Sequence, residues 1–252
     1  MGAAEDAAYY DTLINDLFKG REDNEIIATD RPTLIRAIAK LTKGIEKGYG
    51  KKIDTIDYTT PDDGMLKAMV QNVYEFSGAK NYAQMKALNE ALRDGERIRS
   101  FEEFKSKAMV ILDDFNVRHL KVEYQHAIAA STMVRKWQEF PEGALLKYET
   151  AGDERVRPDH ALLDGVIAAK ESTFWDDNYP PLDWGCRCTV YEVLNENETD
   201  LSKIAFPERH KGFGYNVGKT GMIYSPDSKY FIGCPADVLA TATNLIDKNQ
   251  PE

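Results

Sequence analysis

A long helical pattern that stops sharply is the feature that most constrains the fold. Residues 117–140 contain no glycine or proline, and their apolar or small side chains recur on one helical stripe. Pro141 and Gly143 end this pattern. After them glycine and proline occur every few residues, and residues 145–150 and 188–194 have the β-branched and aromatic content typical of strands. The break predicts a helical part of the chain followed by an α+β part.

The chain before the long helix has further helical patterns. Asp30 and Pro32 are start signals for a helix, and Ser100 with Glu103 is typical of a capping box. Asn116 is in position to cap the long helix. Apolar spacing predicts helices over residues 11–18, 32–45, 62–76, 81–93 and 100–112, with the third ending at Ser77-Gly78 and a short extended segment over residues 51–60.

These patterns predict an α+β protein with a small sheet. Residues 1–115 form a helical region of unassigned role, and residues 116–245 form a compact α+β domain entered by helix 117–140. Residues 246–252 form a polar tail.

Composition limits the classes of function. The net charge of −10 argues against an extended nucleic-acid surface, because phosphate binding needs clustered Lys and Arg. No run approaches the roughly 18 apolar residues of a membrane helix, and the first residues do not resemble a secretory signal, so we expect a cytoplasmic protein. Three cysteines, an odd number, disfavour a disulfide framework.

A polar cluster follows the first predicted strand, in the run GDERVRPDH. Pro158 suits the first turn of a helix, which places Asp153, Arg155, Arg157 and His160 at a strand-to-helix corner. The favoured interpretation is structural: Asp153 pairs with one of the arginines, and His160 donates to a buried carbonyl. The alternative makes His160 a general acid or base and the arginines anion clamps.

The Cys186-Arg187-Cys188 triplet also has two interpretations. Residues two apart in a strand face the same side, so both thiols would point into a core or toward one metal. Buried, inert thiols are favoured. The alternative is a tetrahedral zinc held by His160, Cys186, Cys188 and Cys234.

Two further segments have plainer interpretations. The aromatic and proline-rich run over residues 172–185 is expected to fold over its own domain. The alternative is a stacking surface for a partner peptide or nucleic acid, which is disfavoured because the three aspartates of the run would repel phosphates. The glycine-rich run over residues 212–228 does not match a phosphate loop and predicts a mobile loop or hairpin.

Three linked motifs carry a family resemblance: TxGDERVRPxHxxLDG from Thr150, FWxxxYPP from Phe174, and WxCRCxV from Trp184. Together they resemble the Mu F-like family of phage minor head proteins, also called head-morphogenesis proteins. The family's signature positions are matched here by Asp153, Arg155, Arg157, His160, Leu163, Asp164, Gly165, Cys186, Arg187 and Cys188.

The resemblance implies a structural protein of a phage or prophage and no assigned catalytic activity. It implies portal and capsid or scaffold proteins as partners, contact with packaged DNA as a further expectation, and no membrane. The expected location is the host cytoplasm during assembly and then the head interior or portal vertex. The alternative is an effector enzyme, a nuclease or transferase, that uses His160 with Arg155, Arg157 and Asp153.

Overall fold

The computed structural model describes residues 3–20, 27–53, 61–206, 209–210 and 212–247. The helices are α1 (Ala3–Gly20), α2 (Arg31–Tyr49), α3 (Pro61–Ala91), α4 (Phe101–Asp113), α5 (Leu120–Glu139), α6 (Pro158–Ala161), α7 (Phe174–Asn178), α8 (Val217–Thr220) and α9 (Ala236–Asp247). The strands are β1 (Arg93–Asp94), β2 (Arg97–Ile98), β3 (Leu145–Glu149), β4 (Ile167–Ala169) and β5 (Thr189–Val193). This confirms the predicted α+β class, and the two longer predicted strands are correct to within one residue at each end.

The chain divides into two compact units. One consists of residues 1–39, 74–121 and 229–251, and the other of residues 40–73 and 122–228. The predicted boundary between residues 115 and 116 stays a prediction. Among the described residues, no helix is both long and apolar enough to cross a bilayer.

The first unit has a helical core. Apolar side chains from α1, from the second half of α3 and the residue after it, and from α4 form one buried cluster: Tyr10, Leu13, Ile14, Leu17, Met85, Leu88, Ala91, Leu92, Phe104, Ala108 and Leu112. The predicted capping box begins α4, since the Glu103 amide donates to Ser100 Oγ and the Ser100 amide donates to Glu103 Oε2. Asp30 caps α2 as predicted, with its carboxylate 3.0 Å from the Thr33 amide nitrogen.

The prediction that a helix ends at Ser77-Gly78 is wrong, because α3 continues through both residues. A Cβ at Gly78 would lie 2.7 Å from the Cβ of Ala242 on α9. Glycine is therefore retained inside the helix for close packing, even though it costs helix propensity.

The prediction that Asn116 caps a new helix is also wrong. A π-helical segment, Asp114–His119, joins α4 to α5 without a break. The Asn116 side-chain amide donates to the Leu112 carbonyl oxygen at 3.0 Å, which is a bond within a continuing helix. In the predicted extended segment, residues 54–60 lie outside the described residues.

The second unit contains a three-stranded antiparallel sheet in the order β4-β3-β5. Leu146, Tyr148 and Val190 of this sheet are fully buried. α5 packs beside β5, where Lys136 Nζ donates to Thr189 Oγ1 at 2.6 Å and to the Val190 carbonyl oxygen. The end of β3 and the start of β5 lie side by side in this sheet. The sheet therefore holds the segment after β3 close to the segment before β5.

The aromatic run folds inward as predicted. Trp175 and Tyr179 are fully buried, and their polar atoms donate to the carbonyl oxygens of Ala169 and Met133. By contrast, the prediction of a mobile loop or hairpin in the glycine-rich run is wrong for residues 216–221. There Asn216 caps the one-turn helix α8, and Gly221 ends it with a positive φ.

Candidate functional site

The loop after β3 is tied down by two acidic side chains. Asp164 accepts from both the amide and the hydroxyl of Thr150, at 2.7 and 2.8 Å. Asp153 accepts two bonds from the Arg187 guanidinium, at 2.6 and 2.8 Å, and further bonds from Arg155. The Arg187 guanidinium holds the pKa of the Asp153 carboxyl well below its usual range.

The two arginines of the corner have different partners. The Arg157 guanidinium donates to the Trp184 carbonyl oxygen at 2.8 Å and pairs with Asp183 at 3.0 Å. Arg155 is largely exposed and pairs with Asp153. The predicted pairing of Asp153 with an arginine of the corner is therefore seen for Arg155, and Arg187 adds a bidentate partner that the sequence interpretation did not include.

The helix after the loop is a single turn. α6 ends at Ala161, so Leu163 and Asp164 lie in the turn that follows it. Gly165 completes this turn with a φ of 77°, and its amide donates to the Tyr148 carbonyl oxygen. A left-handed residue at this position lets the chain reverse into β4.

His160 is buried, and it contacts both cysteines of the triplet. Its Nδ1 lies 3.7 Å from Cys186 Sγ and 3.6 Å from Cys188 Sγ. The thiols converge although residues 186–188 precede β5 rather than belong to it, because Gly185, with a φ of 69°, turns the chain immediately before them. The predicted bond from His160 to a buried carbonyl is wrong: Nε2 has no hydrogen-bond partner and lies 3.7 Å from Asp159 Oδ2.

The three side chains form a group with the spacing of metal ligands. The ligand atoms of His160, Cys186 and Cys188 all lie within 4.8 Å of one another. Cys234 is not part of this group, and its thiol bonds to the Pro235 carbonyl oxygen. Cys234 belongs to the other compact unit, so its place in the predicted set of four stays a prediction.

Several polar groups surround the cluster. The Tyr148 hydroxyl is buried beside Cys188, and burial raises the pKa of that hydroxyl. Arg209, nearly buried, donates two bonds to Asn178 Oδ1 and lies 3.4 Å from Asp159 Oδ2. Arg209 therefore fixes the carboxylate that faces the outer nitrogen of His160.

A small pocket opens next to the cluster. His160, Cys186 and Cys188 line it together with Arg155 and Arg157, and its free volume is about 10 Å³. That volume suits about one water molecule. The pocket connects the buried imidazole to the surface but has no room for a nucleotide or a peptide.

His126 on α5 is a neighbour that the sequence interpretation missed. Its ring is 4.9 Å from that of Trp184 and its Nε2 is 3.0 Å from the Ile223 carbonyl oxygen. Burial lowers the pKa of His126 to about 4. His126 and Arg157 therefore both hold Trp184, two residues before the first cysteine of the cluster.

The family model that matches this chain covers the corner and the cysteine triplet. Residues 82–191 match the family model described as Phage Mu protein F like protein. The chain is 36% identical over 70 residues to the Mu-like prophage FluMu F protein of Haemophilus influenzae, an alignment that covers 28% of this chain and 17% of the relative. It is 41% identical over 44 residues to the putative capsid assembly protein F of Escherichia phage Mu, which covers 18% of this chain and 10% of that relative. No solved structure is significantly similar to the chain.

Proposed function

Because residues 82–191 match the family model described as Phage Mu protein F like protein, we propose that this chain belongs to that family and acts in assembling the head of a phage or prophage. The observation that carries the proposal is the match between the family model and the part of the chain that holds the complete corner and cysteine cluster. A relative named as a putative capsid assembly protein supports the same role. The aligned parts span less than a fifth of either relative, so the role of the whole protein is part of the proposal.

The proposed partners are other proteins of the head: the portal protein and a capsid or scaffold protein. A net charge of −10 favours protein partners over a long DNA track, because an acidic surface repels phosphates. Any contact with DNA during packaging or ejection would therefore be local. The proposed location is the host cytoplasm during assembly and afterwards the head interior or portal vertex.

The geometry of the corner supports a structural role over an effector enzyme. An enzyme using His160 with Arg155 and Arg157 needs room for a substrate beside the imidazole. The pocket there suits about one water. Arg157 is engaged by Asp183 and Trp184, and Arg155 and Arg187 are engaged by Asp153.

Inactivation of the gene in the phage or prophage that encodes this chain tests the proposal. Electron micrographs of induced lysates should show a loss of normal, DNA-filled heads, and the wild-type gene supplied separately should restore them. A gene carrying Arg155→Ala should also restore them, because this side chain is largely exposed and its partner Asp153 keeps the ion pair with Arg187. Unchanged numbers of filled heads without the gene would contradict the proposal.

A further inference from the structure

The convergence of two thiols on one nitrogen requires an explanation. A neutral imidazole nitrogen without hydrogen has a single lone pair, so it accepts one S–H hydrogen. Here Cys186 Sγ and Cys188 Sγ approach His160 Nδ1 to nearly equal distances, 3.7 and 3.6 Å. A single S–H hydrogen bond to Nδ1 therefore accounts for only one of these two approaches.

A tetrahedral metal accounts for both approaches. With Zn–S bonds of about 2.3 Å and Zn–N bonds of about 2.0 to 2.1 Å, the nitrogen and sulfur ligands of one zinc lie about 3.5 to 3.6 Å apart. The observed distances between Nδ1 and the two sulfur atoms, 3.6 and 3.7 Å, are within about 0.2 Å of that nitrogen–sulfur distance. We propose that His160, Cys186 and Cys188 bind one zinc ion through Nδ1 and the two thiolates.

The surroundings of the imidazole fit this ligand set. A metal-bound Nδ1 puts the hydrogen on Nε2, the buried atom that has no hydrogen-bond partner. Asp159 Oδ2 faces that atom at 3.7 Å and is held by Arg209. A carboxylate behind a ligating histidine is the usual support of a zinc site, and a shift of under about 1 Å would close the hydrogen bond.

The fourth ligand of the proposed zinc ion is a water molecule. No other His, Cys, Asp or Glu in the described part of the chain joins the three ligands. The pocket of about 10 Å³ that reaches all three has the volume of about one water. Zinc is the metal that suits a mixed thiolate and imidazole set in tetrahedral geometry. The ion would link α6 to the segment immediately before β5, and this proposal is independent of the role in head assembly.

Metal analysis of the full chain, purified under reducing conditions without chelator, tests the site. The wild type should carry about one equivalent of zinc, and His160→Gln and Cys188→Ser should fall below about a tenth. Cys234→Ser is the matched control, because it removes the thiol outside the cluster, and it should keep the full equivalent. Zinc below about a tenth of an equivalent in the wild type, after dialysis against zinc, would overturn the proposal.

A second measurement needs no variant and therefore does not depend on how well the variants fold. Alkylation of the wild type, followed by mass spectrometry, should modify Cys188 slowly with zinc bound and much faster after a chelator is added. Cys234 should react at the same rate in both conditions. Equal rates for Cys188 with and without zinc would overturn the site, and copper bound in place of zinc would overturn the choice of metal.

Discussion

The Asp153 carboxylate and the Arg187 guanidinium form a two-bond ion pair with distances of 2.6 and 2.8 Å. This pair joins the loop after β3 to the residue between the two cysteines of the cluster. The two residues are 34 positions apart in sequence, and their bond holds the first and the last of the family motifs together.

The ion pair between Asp153 and Arg187 should make the free energy of unfolding depend on pH in the acidic range. The pKa of the Asp153 carboxyl is lower in the folded chain than in the unfolded chain, mainly because of Arg187. The ion pair therefore stabilises the folded chain fully above the ordinary aspartate pKa of 3.8. This stabilisation is lost as the pH falls below that value. In denaturation curves measured between neutral pH and pH ~2, Asp153→Asn should therefore lose less stability on acidification than the wild type. Asp16→Asn, at an exposed position on α1, should behave like the wild type, and an Asp153→Asn curve parallel to the wild type would contradict the prediction.

Removal of the buried imidazole should destabilise the chain. His160→Ala leaves a cavity and removes the group that both thiols contact, so we expect the free energy of unfolding to fall by about 2 kcal/mol. Urea denaturation measures this. The matched control is His210→Ala at an exposed histidine, which should change the free energy by less than about 0.5 kcal/mol. Equal urea midpoints for the two variants would refute the prediction.

His126 should make stability fall at mildly acidic pH. Burial lowers its pKa from 6.5 to about 4, so the unfolded chain binds a proton in this range that the folded chain does not. The stabilisation is complete above pH 6.5 and is lost progressively down to about pH 4, by about 3 kcal/mol in total. His126→Gln keeps an N–H donor for the Ile223 carbonyl but does not titrate. This variant should lose less stability than the wild type over the same pH range, and an identical pH slope would count against the buried neutral imidazole.

Gly218 should not tolerate a side chain. A Cβ there would lie 2.2 Å from the Cβ of Trp137, which is buried and packed against Tyr179. Gly218→Ala should therefore lower the free energy of unfolding by about 1 to 3 kcal/mol. Gly64→Ala is the control, because a Cβ at this helical position meets nothing within 4 Å and alanine favours helix. The prediction fails if the two variants have the same thermal midpoint.

Local signals predicted local structure well in this chain. The capping box at Ser100 and the cap at Asp30 are decided by residues three positions apart, and both are confirmed. The two longer strands and the end of α5 also follow from local composition and from Pro141. Gly78 shows the limit of such signals, because its place inside a helix depends on packing against Ala242, far away in sequence.

Only part of the candidate site was predictable from the sequence. The sequence brought His160 and the two cysteines into one hypothesis because they stand out as possible metal ligands, and the structure places their ligand atoms together. Cys234 was included by residue type alone, and it belongs to the other compact unit. His126 and Arg209 had no local signal, since only the folded chain brings them beside Trp184 and Asp159.

The most direct test of a role in head assembly is to locate the chain in purified particles. Procapsids and DNA-filled heads from the phage or prophage that encodes it would be separated by density and analysed by quantitative mass spectrometry, with immunogold labelling to place the chain. The account predicts that the chain co-purifies with procapsids, filled heads or both, with label at the head. Its absence from both kinds of particle, while it is abundant in the same lysate, would contradict the account.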